Sequence, residues 1–461
     1  MALIVSISGV RGTIGGRPGD NLTPVDIIAF ASAYGQWLKS RTADQRPRVV
    51  IGRDARPSGK IVSDLVINTL TASGVDVTDL GLSTTPTVEV AVPKHKADGG
   101  IIITASHNPV VWNALKLLND KGEFISASDG NELVAKIKSG DFEFADVYNL
   151  GSVTTYSSAF EDHIAELLKR PEIDVKAIEN AQFTVAVDAV NSTGGLVIPL
   201  LLSALGVRSV KKLHCEPTGW FAHNPEPLKE HLTEIMQLIK DENCDLGIVV
   251  DPDVDRLALI DENGEMFGEE YTLVAAADYL LSLKPGPTVS NLSSSRALAD
   301  LTHDFGAEYH AAAVGEVNVV EKMKAVGARI GGEGNGGVIW PDFHYGRDAL
   351  AGVALILTHL ATSGLKLSQL KSRYPTYYMS KNKIELRQGM DTAELLRKIE
   401  HKYRNERLTT IDGVKIDFDH SWVHLRRSNT EPIIRIYTEA KSQKEADTLA
   451  ERFVSELRAL I

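Results

Sequence analysis

The 461-residue sequence predicts an α/β protein: three similar strand–helix modules followed by a smaller α+β domain. Three observations carry that expectation. A unit of short apolar run, polar turn, apolar-periodic helix, glycine and second extended run recurs three times. The length exceeds what one core supports, since single cores stop growing at roughly 250–300 residues. From about residue 370 the pattern changes to strands separated by turns and closed by one long amphipathic helix.

The repeated unit is read directly. "RVVIGRDARPSG" leads into "KIVSDLVINTLTASGVDVTDLG", "FTVAVDAVNSTGG" into "LVIPLLLSALGVRSVKKL", and "PTVSNLSSS" into "RALADLTHDFGAEYHAAAVG". Gly74, Gly206 and Gly306 stand where each helix should stop, because glycine enters the left-handed region at little steric cost. Earlier, Thr23-Pro24-Val25-Asp26 offers a hydroxyl cap, a proline at the first helical position and an acid in the first turn. Near the end, "IDGVKIDF", "WVHLRRS" and "IIRIYTEA" read as strands. Ser442 and Glu445 have capping-box spacing, opening a helix that places Ala446, Leu449, Ala450, Phe453, Val454 and Leu457 on one face. "SRYPTYYMSKNK" reads as the linker into this last domain.

Composition narrows the function classes. The chain is 43% hydrophobic and 24% charged. The start, "MALIVSISGVRG", lacks the basic region and long apolar run of a signal peptide, and no stretch approaches about 18 uninterrupted apolar residues. No membrane partner is expected. Cys215 and Cys244, with no CxxC, disfavour a disulfide framework or thiolate metal site, and a reducing cytoplasm fits best. A net charge of −12 argues against a nucleic-acid surface, while leaving room for small anions held by local arginines.

Four polar loops follow apolar runs. In "GGIIITASHNP", Ser106 and His107 crowd the exit of a buried strand. No GxSxG is present, and an adjacent histidine is poorly placed to act as that serine's base. Taken alone, the stretch ends a strand and caps a turn. In "LGIVVDPDVDRLALIDENG", Asp251, Asp253 and Asp255 alternate, so an extended chain would put all three carboxylates on one side. Such neighbours repel by roughly 2–3 kcal/mol per pair at an effective dielectric of 20. Hard oxygens at that density suit Mg²⁺ or Ca²⁺. An EF-hand is rejected, because Arg256 stands where that loop needs glycine and both flanks read as strands. A serine beside such a site suggests phosphorylation, since a phosphoserine carries about −1.5 to −2 charge and its oxygens could complete the coordination.

In "ARIGGEGNGGVIWP", Gly332, Gly334 and Gly337 match GxGxxG, but β-like "VIWP" follows where a dinucleotide site needs a helix. The glycines then serve close approach of backbone to a ligand, with Glu333 and Asn335 as the polar groups presented, or simply a turn. In "HLRRSNTEPIIRI", Arg426, Ser428, Asn429 and Thr430 offer a guanidinium fork, two hydroxyls and an amide. That set suits a phosphate monoester, although Ser-Asn-Thr is also ordinary turn chemistry.

Together the four loops resemble the α-D-phosphohexomutase superfamily along the whole chain. "TASHNP" is similar to its phosphoserine loop, "DPDVDR" to its metal loop, "GEGNGG" to its sugar loop and "RRSNTEP" to its phosphate loop, with "SGVRG" and "NALK" also matching. The resemblance implies three related α/β domains with mixed sheets plus a smaller C-terminal α+β, TATA-binding-protein-like domain around a central cleft. The domains would span 1–150, 151–256, 257–369 and 370–461. It further implies that Ser106 is the phosphoserine and that Asp251, Asp253 and Asp255 hold Mg²⁺ with it. Arg11 and Lys116 would flank the transferring group, Lys116 as a general base, with His107 and Arg256 supporting their loops. Glu333 and Asn335 would bind sugar hydroxyls, and Arg426, Ser428, Asn429 and Thr430 the non-reacting phosphate. Hexose phosphates and hexose 1,6-bisphosphates would be the partners. Oligomeric state is not legible.

Two departures from the family pattern matter. Gly337 occupies the place of a histidine common in the sugar loop, and Asn335 replaces a serine. With "DPDVDR" and "HNPEPLKEHL", these features resemble phosphoglucosamine mutases of the archaeal-like subgroup. The expected reaction is then interconversion of glucosamine 6-phosphate and glucosamine 1-phosphate for UDP-N-acetylglucosamine synthesis. The alternatives are a phosphomannomutase/phosphoglucomutase, a Mg²⁺-dependent sugar phosphatase, or a non-catalytic Ca²⁺- or sugar-phosphate-binding protein.

Overall fold

A computed structural model describes residues 3–6, 9–42, 46–386, 391–427 and 433–460. The chain forms two compact units: Met1–Thr272 with Gly336–Leu370, and Leu273–Asn335 with Lys371–Ile461.

The first unit holds two mixed sheets. The larger has seven strands in the order Leu3–Ser6, Gly9–Thr13, Trp112–Leu118, Gly99–Ile103, Arg48–Arg53, Asp76–Leu82 and Val153–Thr155. Arg48–Arg53 runs parallel to both Gly99–Ile103 and Asp76–Leu82. The apolar run "III" has a physical reason. Ile101 and Ile103 enter a core with Phe30, Trp37, Val66 and Leu70 of the helices Pro24–Lys39 and Gly59–Ala72, whereas Ile102 enters another with Val88 and Val92 of the helix Thr85–Lys94. A strand covered on both faces is apolar throughout. The second sheet runs Leu257–Asp261, Leu246–Val250, Thr184–Asp188 and Ser209–Leu213, with only the first strand antiparallel to its neighbour.

The second unit holds parallel strands Tyr309–Ala312, Thr288–Asn291 and Ile330–Glu333 and an antiparallel five-stranded sheet. Its order is Tyr378–Glu385, Ile433–Ala440, Trp422–Arg427, Val414–Asp417 and Arg407–Thr409. Leu395 and Ile399 of the helix Thr392–Lys402 and Phe453 and Leu457 of Gln443–Leu460 cover one face, against Val423, Leu425, Ile434 and Ile436.

All three repeated modules form as expected, and Gly74, Gly206 and Gly306 lie at φ +77°, +75° and +67°. The linker expectation needs correcting. The second half of "SRYPTYYMSKNK" belongs to the edge strand Tyr378–Glu385, whose exposed polar side chains hide its period. No helix among the described residues is long and apolar enough to cross a membrane.

Candidate active site

Ser106 follows the buried strand Gly99–Ile103 and lies at φ +48°. A non-glycine residue there costs about 1–2 kcal/mol and persists only where its surroundings hold it. Thr104 Oγ1 accepts from Ser106 N at 3.0 Å and donates to Asp54 Oδ2 at 2.6 Å. Arg56 Nε donates to the same oxygen at 3.0 Å. The Arg56 guanidinium, 1% exposed, also donates to four backbone carbonyls: Ser106 at 2.5 Å, Asn108 and Pro109 at 2.7 Å, and Trp112 at 3.0 Å. A planar five-donor fork suits a loop whose carbonyls turn inward. Arg56 does not stand out in the sequence, where its one signal is the polar run "RDARPS" behind a buried strand.

The serine side chain meets the acid triad. Ser106 Oγ donates to Asp251 Oδ2 at 2.7 Å, and the carboxylate oxygens of Asp251, Asp253 and Asp255 lie within 4.8 Å of one another. The convergence does not come from an extended chain, as the alternation suggested. The strand ends at Val250 and the next begins at Leu257. Between them the chain turns, with buried Val254 at φ +62°, an outlying conformation for a β-branched residue. Asp251 Oδ1 accepts from the backbone N–H groups of Asp255 and Arg256, each at 3.2 Å. Ser192 and Thr193 hydroxyls donate to the Pro252 carbonyl from the neighbouring "NST" turn.

Cations neutralise part of this charge. Lys116 Nζ donates to Asp253 Oδ2 at 2.7 Å and Asp255 Oδ2 at 3.3 Å. Thr85 Oγ1 also donates to Asp253 Oδ2, and Arg347 donates to Asp255 Oδ2 at 2.7 Å. Burial and the neighbouring carboxylates of Asp253 and Asp255 push the Asp251 carboxyl well up. Burial acts against Lys116 as well, but Asp253 and Asp255 outweigh it and hold the ammonium above its usual range. The Oδ1 atoms of Asp253 and Asp255 are buried without a hydrogen-bond donor. Such oxygens are costly unless something positive engages them, so the donor set fits a hard divalent cation.

His107 Nδ1 lies 3.4 Å from Ser106 Oγ. Burial, reinforced by Arg256, Arg11 and Arg347, lowers its pKa to about 2, so the imidazole is neutral. Arg11 stands opposite Ala114 on the adjoining strand, hence on the same face as Lys116 two positions on. Arg256 Nε lies 3.8 Å from Asp255 Oδ1. Arg347 precedes Asp348, whose Oδ2 faces His163 Nε2 and His344 Nε2 at 3.0 and 3.1 Å and whose Oδ1 caps the helix Ala349–Ser363 through Leu350 N. These contacts anchor the segment that carries Arg347. Thr85 and Arg347 escape a reading of the sequence because neither sits in a recognisable motif.

In the second unit, Glu333 Oε1 accepts from Asn291 Nδ2 at 2.8 Å and Gly315 N at 3.2 Å, and Asn335 lies two residues on. Arg426 Nε lies 3.3 Å from Asp412 Oδ2. Directly across the strand pair from Arg426 stands Arg435, a further guanidinium on the same face that no motif marks. Ser428, Asn429 and Thr430 lie outside the described residues.

Comparison with known proteins agrees along the whole chain. The phosphoglucomutase/phosphomannomutase family matches as alpha/beta/alpha domains I, II and III over residues 3–144, 159–264 and 268–377, and as the C-terminal domain over 383–456. A phosphoglucomutase/phosphomannomutase of Thermococcus kodakarensis is 36% identical over 450 residues, covering 97% of this chain and 96% of that protein. A probable phosphoglucosamine mutase of Methanopyrus kandleri is 31% identical over 458 residues, covering 98% and 97%. Among solved structures, a phosphoglucomutase/phosphomannomutase family protein of Burkholderia thailandensis superimposes with TM-score 0.84 at 24% identity, over 99% of this chain and 98% of that one. The N-acetylphosphoglucosamine mutase of Aspergillus fumigatus, solved with GlcNAc-6P and magnesium, shares the fold at TM-score 0.57 and 16% identity, over 92% and 80%. By sequence and by fold, the chain belongs to the phosphoglucomutase/phosphomannomutase, or α-D-phosphohexomutase, superfamily and is a phosphohexomutase.

Proposed function

We propose that this phosphohexomutase interconverts glucosamine 6-phosphate and glucosamine 1-phosphate, supplying UDP-N-acetylglucosamine synthesis in the cytoplasm, by way of a phosphoserine at Ser106 and a 1,6-bisphosphate intermediate. The observation that carries the route is the Ser106 hydroxyl held 2.7 Å from Asp251, beside two buried acid oxygens lacking donors. Support for the sugar comes from the "GEGNGG" loop and from relatives described as phosphoglucosamine mutases. The name of the Thermococcus relative favours the alternative, a phosphoglucomutase/phosphomannomutase.

Asp251, Asp253 and Asp255, with a phosphorylated Ser106, would hold Mg²⁺. When bound, the ion withdraws charge from the phosphoryl oxygens during transfer. The chain's own groups do the rest. A substrate hydroxyl attacks the phosphorus of phosphoserine as the bond to Ser106 Oγ breaks, and the hydroxyl proton passes to Lys116. Lys116 is held protonated by Asp253 and Asp255, so its role as base requires those carboxylates to be engaged elsewhere. Arg11, Arg256 and Arg347 place positive charge around the transferring group, which in this chemistry is the main catalytic contribution. Glu333 and Asn335 bind sugar hydroxyls. Arg426, Ser428, Asn429 and Thr430 hold the phosphate that does not react. After the bisphosphate is turned round, its other phosphate returns to Ser106. We assign these roles to domains spanning 1–150, 151–256, 257–369 and 370–461.

Turnover of the 1-phosphates of glucosamine, glucose and mannose, measured side by side, tests the substrate. The glucosamine ester is expected to have the highest kcat/KM, and a preference for glucose or mannose would move the assignment to the alternative. Ser106→Ala is expected to keep the fold and abolish isomerisation. Release of free phosphate without isomerised sugar phosphate would instead indicate a phosphatase.

A further inference from the structure

We infer a second anion subsite on the face of the C-terminal sheet away from the helices Thr392–Lys402 and Gln443–Leu460, where Lys383 with Arg435 holds a phosphate of the bisphosphate while that intermediate is turned round. The inference rests on the bisphosphate route proposed above.

Strand register is the first support. Lys383 stands directly opposite Arg435, and Arg435 stands directly opposite Arg426 on its other side. Directly paired residues share a face of the sheet with Cβ atoms about 5 Å apart, so three basic side chains form one row across three strands. The opposite face carries the core residues Ile384, Leu425, Ile434 and Ile436. Like charges placed directly opposite destabilise a sheet, so the row calls for an anion.

Neither edge protection nor internal neutralisation accounts for the whole row. Lysine on an edge strand guards against edge-to-edge pairing, and that accounts for Lys381 and Lys383 on Tyr378–Glu385. It does not reach Arg435 and Arg426, which lie on interior strands. Internal neutralisation is also partial. Arg426 has Asp412 at 3.3 Å, whereas Lys383 makes no ion pair among the described residues.

The space fits the charge. An open cavity of about 320 Å³ is lined, among the described residues, by Lys381, Asn382, Lys383, Ile433, Arg435 and Tyr437. Arg435 NH1 donates to the Tyr437 hydroxyl at 3.3 Å. A guanidinium fork and an ammonium are donors that a phosphate dianion takes. A hexose monophosphate carries one such group and the bisphosphate carries two. A cationic track beside the phosphate-binding arginine therefore acts most on the intermediate, keeping a released phosphate within the local field.

The test follows the escape of the intermediate. The full-length enzyme, phosphorylated with ³²P at Ser106, is mixed with sugar monophosphate, and label is partitioned between free bisphosphate and isomerised monophosphate. Lys383→Met is expected to raise the free bisphosphate released per turnover about fivefold, the fold-change of an exposed charge contact of about 1 kcal/mol. It is also expected to make turnover depend on added glucose 1,6-bisphosphate. Lys383→Arg should restore retention, and high salt should erase the difference between Lys383→Met and wild type. Lys383 is exposed, so the substitution spares the core. An unchanged partition in Lys383→Met overturns the subsite while leaving the mutase route standing. Isomerised monophosphate that carries no ³²P would instead overturn the route, because the phosphorus of the phosphoserine must end up on the product.

Discussion

The Arg56 guanidinium donates to the Ser106 carbonyl oxygen at 2.5 Å, so the residue proposed to carry the phosphoryl group hangs from a charge on the neighbouring strand's loop. With Asp54 at its Nε and three further carbonyls on its terminal nitrogens, Arg56 fixes the loop as a rigid piece.

Lysine cannot serve four carbonyls from one nitrogen. Arg56→Lys is therefore expected to lower kcat/KM about 100-fold through misplacement of the nucleophile, read by steady-state kinetics on folded enzyme. Arg56→Met leaves Asp54 buried and unpaired. It should lower unfolding free energy by about 3–5 kcal/mol, measured by denaturant titration.

Asp253→Asn removes a charge from the triad and from the group that keeps Lys116 protonated. The Mg²⁺ concentration for half-maximal activity should rise by about 10–100-fold or more. The stabilisation of thermal unfolding by Mg²⁺ should weaken in step. Coincident Mg²⁺ titrations for variant and wild type would remove the triad from the metal site.

Gly336 lies at φ +85°, and a Cβ there would collide with the Leu257 carbonyl oxygen. Its own carbonyl accepts from Leu257 N at 3.0 Å, next to the end of the metal loop. Gly336→Ala is expected to cost about 1–3 kcal/mol, visible as a lower urea midpoint.

His424 gives the second unit a pH dependence. Its Nδ1 meets Ser293 Oγ at 2.9 Å and its Nε2 meets the Asp412 carbonyl at 2.7 Å. Burial, aided by Lys415 and Arg426 against the pull of Asp412, lowers its pKa to about 4. Below the ordinary histidine value of about 6.5 the unfolded chain takes up a proton that the folded site refuses. Stability from this group is thus complete above pH 6.5 and is lost as pH falls towards 4, by up to about 3 kcal/mol. Equilibrium unfolding across that window should show the loss in wild type and a flatter profile in His424→Gln.

The sequence disclosed the site where chemistry demands a residue type and hid it where contacts run between distant segments. Ser106, the three acids, Lys116 and Arg426 stand in motifs. Arg56 touches a loop about 50 positions away, and Arg347 meets Asp255 from the far end of its unit, so neither leaves a periodic trace. The DxDxD spacing picked out three carboxylates that do cluster, yet a turn at Val254 brings them together rather than strand alternation. The fold followed the same division. Buried strands such as Gly99–Ile103 declare themselves by unbroken apolar runs, but Tyr378–Glu385 is an edge strand with a single buried residue, Ile384, and resembles a connector. Ser428, Asn429 and Thr430, which the sequence suggests as part of a phosphate loop, lie outside the described residues.

The two donorless oxygens of Asp253 and Asp255 mean that the site's electrostatic tension exists before any ligand arrives. A cation bound there as proposed would make compactness around this loop a function of cation supply as well as of packing. With Mg²⁺ as the proposed occupant, this corner of the first unit should admit solvent more readily in magnesium-poor surroundings, which would make the site a gauge of ionic conditions.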